Sequence, residues 1–225
     1  SLFPKLVDGD VIITNDPYLS RGLATHLPDL HLIQPYFHGD TLVCYGWCFI
    51  HFMDVGGRVP GSIAPSNHEL FQEGIRIPPM KLASAGEINQ DFITIFQANC
   101  RLPHINMRDI ESMKGALGVG RRRVLETVDQ YGIGPFMASH EALKDYAATK
   151  VREVLRRLPD GTYDFWEYLD NDGRSRFPVR VRVRLTVDDG LLHFDFTGTD
   201  PAVAASFNIP TMGTLHNMFT RRITT

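Results

Sequence analysis

The sequence predicts a mixed α+β fold in which a β-rich N-terminal region, a central helical hairpin and a C-terminal antiparallel β-hairpin follow one another. Three changes of hydrophobic pattern carry this prediction. Short apolar runs between turn residues fill the first fifty residues, as buried strands do. Apolar residues then recur at helical spacing over about residues 107–158, and strict alternation of apolar and polar residues follows at 179–187.

The 225 residues are 43% hydrophobic and 10% aromatic, which is enough for a substantial core. We divide the chain into a β-rich region with a candidate metal site and a long ordered loop (residues 1–102), the helical hairpin (103–158) and the antiparallel β region (159–225). The chain opens without Met and stops just after what reads as the start of a new segment. We therefore expect a fragment of a longer subunit, truncated in its third region.

Three strands are expected in the first region. Residues 11–13 form an apolar run between turn residues, and residues 30–37 and 41–51 are two longer β-rich runs. The three residues between the longer runs have hairpin-turn chemistry. Residues 55–90 are rich in Gly, Pro, Ser and Asn, so we predict a long ordered loop, a kind of segment that often carries function.

Helices are expected next, from about Asn89 to Asn99, from Met107 to Tyr131 and from Gly134 to Leu158, the last two packed as a hairpin. In the third region, residues 179–187 and the segment after an Asp-Asp-Gly turn predict a β-hairpin, which residues 162–170 extend into a sheet. The polar positions of its first strand are interpreted as the solvent-facing or partner-facing side of an edge strand. They are Arg180, Arg182 and Arg184.

Charge and cysteine content exclude several classes of protein. The formal net charge is −3 at pH 7 and the one basic cluster is short, so we expect no nucleic-acid partner. Three cysteines without CxxC spacing indicate neither a disulfide framework nor a zinc ribbon, and they fit a cytoplasmic protein. No apolar run approaches the ~20 residues that cross a bilayer, so no membrane partner is expected.

The frame His-x-x-Asp occurs twice, as His26 to Asp29 before the second predicted strand and as His51 to Asp54 at the end of the third. Strands joined by a short turn can bring such ends together, and two imidazoles with a carboxylate are a ligand set for Zn, Mn or Fe. Asp54 is then either a fourth ligand or a group that orients His51. Because the frame is short, ordinary loop and strand-end residues remain the alternative interpretation.

Two further acidic positions stand out. Asp16 lies in Asn-Asp-Pro-Tyr after the first strand, where turn chemistry and a role in a site are equally compatible with the residues. Glu73 lies in an apolar, proline-rich stretch with Arg76 and Lys81 nearby. We interpret these three as surface ion pairs, with binding of an anionic substrate as the alternative.

Several motifs occur in one order: NDPY, THLPD, His-x-x-Asp-x-Gly-Gly with PGS close behind, FQEGIRIPP and, later, DFTGTDP. This series, which is densest over residues 9–131, resembles the hydantoinase B family. That family includes B subunits of ATP-dependent N-methylhydantoinases, the matching half of 5-oxoprolinases, and related subunits of acetone and acetophenone carboxylases.

The resemblance implies a divalent metal, Zn, Mn or Fe, held by His26, Asp29 and His51. It also implies a further acidic ligand from sequence N-terminal to residue 1, and a C-terminal half beyond residue 225. Asp54 and Asp16 become candidates for acid–base catalysis or for positioning of the ligands. The implied partner is an A-type subunit that binds ATP, in a hetero-oligomer acting on a small cyclic amide or a ketone.

Three functions follow as expectations. The first is ATP-dependent opening of a hydantoin or 5-oxoproline ring, the second is carboxylation of acetone or acetophenone, and the third is a non-catalytic relative that binds a partner. Two departures from the family pattern concern the site: three extra residues precede His26, and Phe52 stands where relatives often carry a second histidine. By strand alternation Phe52 points away from His51, so the ligand set survives.

Overall fold

Strands and helices follow one another in blocks along this computed structural model, which describes residues 3, 5–206, 208 and 210. The elements are β1 (Val11–Thr14), β2 (Asp29–His38), β3 (Thr41–His51), β4 (Met80–Ser84), β5 (Glu87–Ile88), α1 (Gln90–Asn99), α2 (Pro103–Tyr131), α3 (Ile133–Leu155), β6 (Gly161–Leu169), β7 (Val179–Asp188) and β8 (Leu191–Asp195). A short 3-10 turn at Leu70–Gln72 precedes β4. The predicted mixed α+β class is confirmed.

The first five strands form one antiparallel sheet in the order β3-β2-β1-β4-β5. A two-residue turn joins β2 to β3, as predicted, and the pairing of the two strands runs back to Asp29 opposite His51. The loop predicted for residues 55–90 is wrong from Met80 onwards, because β4 pairs with β1 inside the sheet. A five-residue strand of this kind is stabilised by its neighbours more than by its own pattern, so the local sequence hides it.

One face of this sheet packs against α1 and α2. Its core contains side chains that are at most 5% exposed from β2, from the segment after β3 and from both helices. They include Leu30, Leu32, Phe52, Phe92, Phe96, Ile110, Met113 and Leu117. Burial of one such side chain stabilises the fold by roughly 1.5–3 kcal/mol. Phe52 contacts the Phe96 ring edge-on, with 6.2 Å between the ring centroids, and thus lies in the core rather than at the sheet end.

The helix boundaries differ slightly from the prediction. Asn89 lies outside α1 and caps it, because its side chain accepts a hydrogen bond from the backbone N–H of Phe92. The second helix begins at Pro103, four residues before the predicted start, since proline is favoured in the first helical turn. Its glycines do not interrupt it, and Tyr36 packs beside Gly120 and donates a 2.7 Å hydrogen bond to the carbonyl of Leu117.

Helix α3 follows α2 directly at Gly132, whose φ is +87°. Ile133 and Phe136 pack against the cluster around Val128 near this junction. Farther along, the predicted apolar face is open, with Leu143 63% exposed, and no residue of α3 is buried within the described chain. An amphipathic pattern indicates that a face exists without indicating its partner. No helix in the described part of the chain is long and apolar enough to cross a membrane.

The C-terminal strands form a second antiparallel sheet in the order β6-β7-β8, which confirms the predicted hairpin and its extension. The interpretation of an edge strand is wrong, because β7 lies in the centre of this sheet. Arg184 lies directly opposite Asp164 of β6 and donates to its carboxylate at 3.1 Å, and Arg182 pairs with the same aspartate. Opposite charges across neighbouring strands are a common stabilising pair, so an arginine stripe does not require an edge.

Candidate metal centre

The end of the β2–β3 hairpin brings three predicted ligands together. Asp29 and His51 face each other as register partners, and the backbone N–H of Phe52 closes the hairpin end by donating to the Pro28 carbonyl at 2.8 Å. His26 enters from the loop just before β2, and its ring centroid lies 5.0 Å from that of His51. One ligand atom from each of His26, Asp29 and His51 lies within 4.8 Å of the others.

Thr25 determines which nitrogen of His26 carries the proton. Its hydroxyl donates to Asp29 Oδ2 at 3.1 Å, and the same oxygen lies 2.8 Å from His26 Nδ1. Because the single hydroxyl proton is directed at Asp29, Nδ1 of His26 must be the donor in the second hydrogen bond. The neutral ring then presents a lone pair at Nε2, which is the form in which histidine binds a metal.

The surroundings of Nε2 test whether the residues fit a metal. This buried atom makes no hydrogen bond of acceptable geometry in the described structure, yet it lies 3.2 Å from Asp29 Oδ1. We take the distance as the more informative observation, since a lone pair facing a carboxylate oxygen needs a proton or a cation between them. Neighbouring ligands of a tetrahedral zinc ion lie about 3.4 Å apart. The third ligand, His51, is exposed and can adjust. The triad therefore fits a divalent cation.

The two buried members of the triad shift one another's pKa. The hydrogen bond with Asp29 raises the pKa of His26, although burial opposes this effect. Burial alone would raise the pKa of Asp29, but the hydrogen bonds from His26 and Thr25 outweigh it and the pKa is lowered. A proton between the two side chains thus competes with a metal ion for the same position, so metal affinity falls as the pH falls.

The peptide after His26 is held from both sides. Asn15, which is fully buried, donates through Nδ2 to the Leu27 carbonyl at 2.7 Å, and Glu73 accepts the Leu27 N–H through Oε2 at 2.9 Å. Asn15 also binds the backbone of Ile75 and Ile77. Both groups therefore determine where His26 lies. Sequence reasoning missed this role, although an acidic residue in an apolar stretch was the available signal at Glu73.

The predicted ion pairs of Glu73 are wrong. Arg76 pairs with Asp16, with 2.7 Å between Nε and Oδ2, and Lys81 pairs with Asp10 at 2.7 Å. Both aspartate side chains are fully buried. The two cations nearest to Glu73 in sequence are thus engaged with carboxylates that no local pattern linked to them.

Asp16 organises the turn after β1. Its Oδ1 accepts the backbone N–H groups of Tyr18 and Leu19 at 2.9 and 3.1 Å, and its Oδ2 accepts from Arg76. Asp16 is not among the groups that converge with the triad in the described chain. These contacts account for its burial, and its catalytic role stays a prediction.

Asp54 organises the glycine-rich loop after β3. Its two oxygens accept the backbone N–H groups of Gly56 and Gly61 at 2.8 and 2.9 Å, and Arg101 Nη1 lies 3.0 Å from Oδ2. Burial raises the pKa of Asp54, but these hydrogen bonds outweigh it, so the pKa is lowered. A carboxylate held ionised by several donors is a weak proton acceptor. An acid–base role for Asp54 stays a prediction.

His31 lies two residues beyond Asp29 on the same face of β2 and is 1% exposed. Its ring stacks on Trp47 and Phe49, with centroid distances of 5.9 and 5.1 Å, and its Nδ1 accepts from the indole N–H at 3.1 Å. Burial lowers the pKa of His31 to about 4, although the nearby Asp29 charge acts in the opposite direction. The ring is therefore neutral at pH 7.

We expect acid to destabilise the protein through His31. The pKa rises from about 4 in the folded chain to 6.5 after unfolding, so the unfolded chain binds more protons between these values. The stabilisation is fully present above pH 6.5 and declines by about 3 kcal/mol as the pH falls to 4. Urea unfolding at pH 7 and pH 4.5 measures this decline, which should be smaller in His31→Phe. An equal decline in both proteins would contradict the assignment.

A cavity of about 420 Å³ adjoins His26. Its lining combines the apolar side chains of Tyr18, Ile63 and Leu70 with the polar side chains of His68 and Glu73. Residues from the C-terminal end of the described chain, including Ala205 and Asn208, line another part of its wall. This volume lies in the range of small-molecule sites, and the candidate metal ligand His26 opens onto it.

Known proteins resemble this chain along nearly its whole length. The family model described as hydantoinase B/oxoprolinase matches residues 1–222. A protein of Pseudomonas sp. (strain NS671), named as the putative B-type half of a D-/L-hydantoinase, is 32% identical over 213 residues, which cover 92% of this chain and 36% of that protein. The resemblance expected from the motifs is confirmed.

Two solved structures share the fold. The crystal structure of ATP-dependent caprolactamase from Pseudomonas jessenii has a TM-score of 0.80 and 30% identity, covering 90% of this chain and 34% of that chain. The nucleotide-free structure of acetone carboxylase has a TM-score of 0.79 at 22% identity, with coverages of 93% and 29%, and this likeness concerns the fold alone. The chain thus spans about a third of the length of the relatives it matches. It belongs to the hydantoinase B/oxoprolinase family.

Proposed function

We propose that this chain is the metal-bearing part of a B-type subunit of an ATP-dependent cyclic amidohydrolase, which opens a hydantoin or 5-oxoproline type of ring together with an ATP-binding A-type subunit. One observation carries the proposal: His26, Asp29 and His51 converge, with a buried lone pair at His26 Nε2, beside a cavity of small-molecule size. The names of the hydantoinase and caprolactamase relatives support the reaction class.

Each part of the site has a distinct task in this proposal. The triad holds a divalent ion, Zn, Mn or Fe, and Thr25 keeps His26 in the tautomer that binds it. The ion supplies a Lewis acid that polarises the amide carbonyl. Tyr18, Ile63 and Leu70 offer apolar contacts to a small ring. Opening an unstrained five-membered amide ring is uphill, and this is the reason for coupling it to ATP on the partner.

Turnover with the A-type partner tests this function. The two subunits, produced together, are expected to open hydantoin or 5-oxoproline only when ATP and a divalent metal are both supplied. The assay measures ring-opened product and ADP in parallel. Ring opening that persists in metal-stripped protein, or in His26→Ala, would contradict the proposal.

Carboxylation of a ketone is the alternative function, and the shared fold with acetone carboxylase favours including it in the test. Bicarbonate with acetone or acetophenone is supplied in place of the cyclic amide. ATP-dependent formation of a carboxylated product without ring opening would assign the chain to that reaction. Absence of stoichiometric metal from the purified protein would instead favour a non-catalytic relative that binds a partner.

A further inference from the structure

We propose that Glu73 is part of the metal site and supplies a second negative charge to a divalent ion held by His26, Asp29 and His51. This inference rests on the proposed function, because it presumes that the triad binds such an ion. Glu73 would then have two tasks, holding the loop that carries His26 and offsetting the charge of the ion.

The backbone places Glu73 beside the triad. Its Oε2 accepts the N–H of Leu27, the residue that follows His26, and both Glu73 and His26 line the cavity. The next residue, Gly74, fixes this position, since its φ is +139° and an added Cβ would lie 2.2 Å from the Val55 carbonyl oxygen. A left-handed backbone and so close an approach both require glycine. The carboxylate is thus held in place by the fold rather than by a flexible loop.

The charge of Glu73 has no cationic partner from Lys or Arg in the described structure. The nearest cations in sequence, Arg76 and Lys81, pair with other carboxylates, and no Lys or Arg is among the described residues that line the cavity. Burial raises the pKa of Glu73, and the nearby Asp29 charge acts in the same direction, while His26 opposes them. A half-buried carboxylate in this situation is stabilised by a cation close by.

Charge counting indicates what that cation is. Two neutral imidazoles and the Asp29 carboxylate leave a divalent ion with one uncompensated positive charge. The Glu73 carboxylate would bring the total to zero. In a partly buried site, where charges interact more strongly than in water, neutrality of this kind favours binding of the ion.

A purely structural role for Glu73 predicts a different result, because any hydrogen-bond acceptor can hold the Leu27 N–H. Glu73→Gln keeps an amide oxygen in nearly the same place and removes only the charge. Glu73→Ala removes both the acceptor and the charge. The two substitutions therefore separate the contribution of the charge from that of the hydrogen bond.

The test is the affinity of the protein for Zn²⁺ and Mn²⁺, measured by competition with a fluorescent chelator at pH 7.5. We expect Glu73→Gln to weaken binding by about 10–100-fold, the range found for groups that support metal ligands. Glu73→Asp, which retains the charge, should recover part of that loss. Equal affinity in the original protein and Glu73→Gln, with loss only in Glu73→Ala, would overturn the charge role.

Two controls complete the experiment. Glu69 lines the same cavity but is exposed, so Glu69→Gln should leave the affinity unchanged, and an equal loss there would overturn a specific role for Glu73. Thermal unfolding of metal-free Glu73→Gln should match that of the original protein, which shows that the loop is retained. If the original protein itself binds no divalent metal, the proposed function fails first and this inference fails with it.

Discussion

Replacing His26 with alanine is expected to remove divalent metal from the protein. His26 contributes the one buried nitrogen of the triad, and Asp29 and His51 alone would leave an ion with two protein ligands at an exposed strand end. Loss of a group that merely supports a ligand weakens metal binding 10–100-fold, so we expect loss of the ligand itself to exceed about 100-fold. Metal content after dialysis and affinity by chelator competition measure the effect.

His68→Ala is the matched control for this substitution. His68 lines the same cavity, is exposed and does not belong to the triad, so its removal should leave the metal content unchanged. His51→Ala should resemble His26→Ala. Stoichiometric metal in His26→Ala, with an affinity like that of the original protein, would show that the ion is held elsewhere or that the triad holds none.

Replacing Asp54 with alanine is expected to destabilise the fold by about 3 kcal/mol or more. The substitution leaves the buried N–H groups of Gly56 and Gly61 without their acceptor and leaves Arg101 without its carboxylate. Each unsatisfied buried group costs about 1–3 kcal/mol. Urea unfolding at neutral pH measures the change. Asp145→Ala, at an exposed position of α3, should change the stability little.

Asp54→Asn separates a structural role from a catalytic one. The amide keeps the shape and one acceptor but loses the charge that faces Arg101, so a smaller loss of stability is expected. If Asp54 only shapes the loop, the folded variant retains metal affinity and turnover. A variant of unchanged stability and metal content that has lost turnover would support the acid–base role predicted from the sequence.

The sequence predicts the hairpin that builds the site because its signals are local. Two apolar runs, a short turn and the ends of the runs suffice to place Asp29 near His51, and the register confirms the placement. Strand β4 lacks such signals, since its pairing with β1 joins segments about seventy residues apart. The apolar face of α3 was visible in the sequence, but a periodic pattern carries no information about which surface it meets.

The doubled His-x-x-Asp frame shows where local reasoning ends for the site. The two aspartates have the same spacing from a histidine but different environments, since Asp29 starts β2 opposite His51 and Asp54 lies beyond the buried Phe52. Only the strand end distinguishes them. Glu73 reaches the triad through a hydrogen bond to a residue 46 positions earlier, and no short pattern encodes a contact of that range.

The clamp on Leu27 has a consequence for the order of folding. Asn15 and Glu73 must both reach that peptide, so the loop carrying His26 is completed only after chain segments 12 and 46 residues away have docked. Closing such long loops is entropically unfavourable until the surrounding sheet has formed. A divalent ion then binds the finished fold and not the earlier states, so it shifts the equilibrium toward the native chain in proportion to its concentration over its dissociation constant.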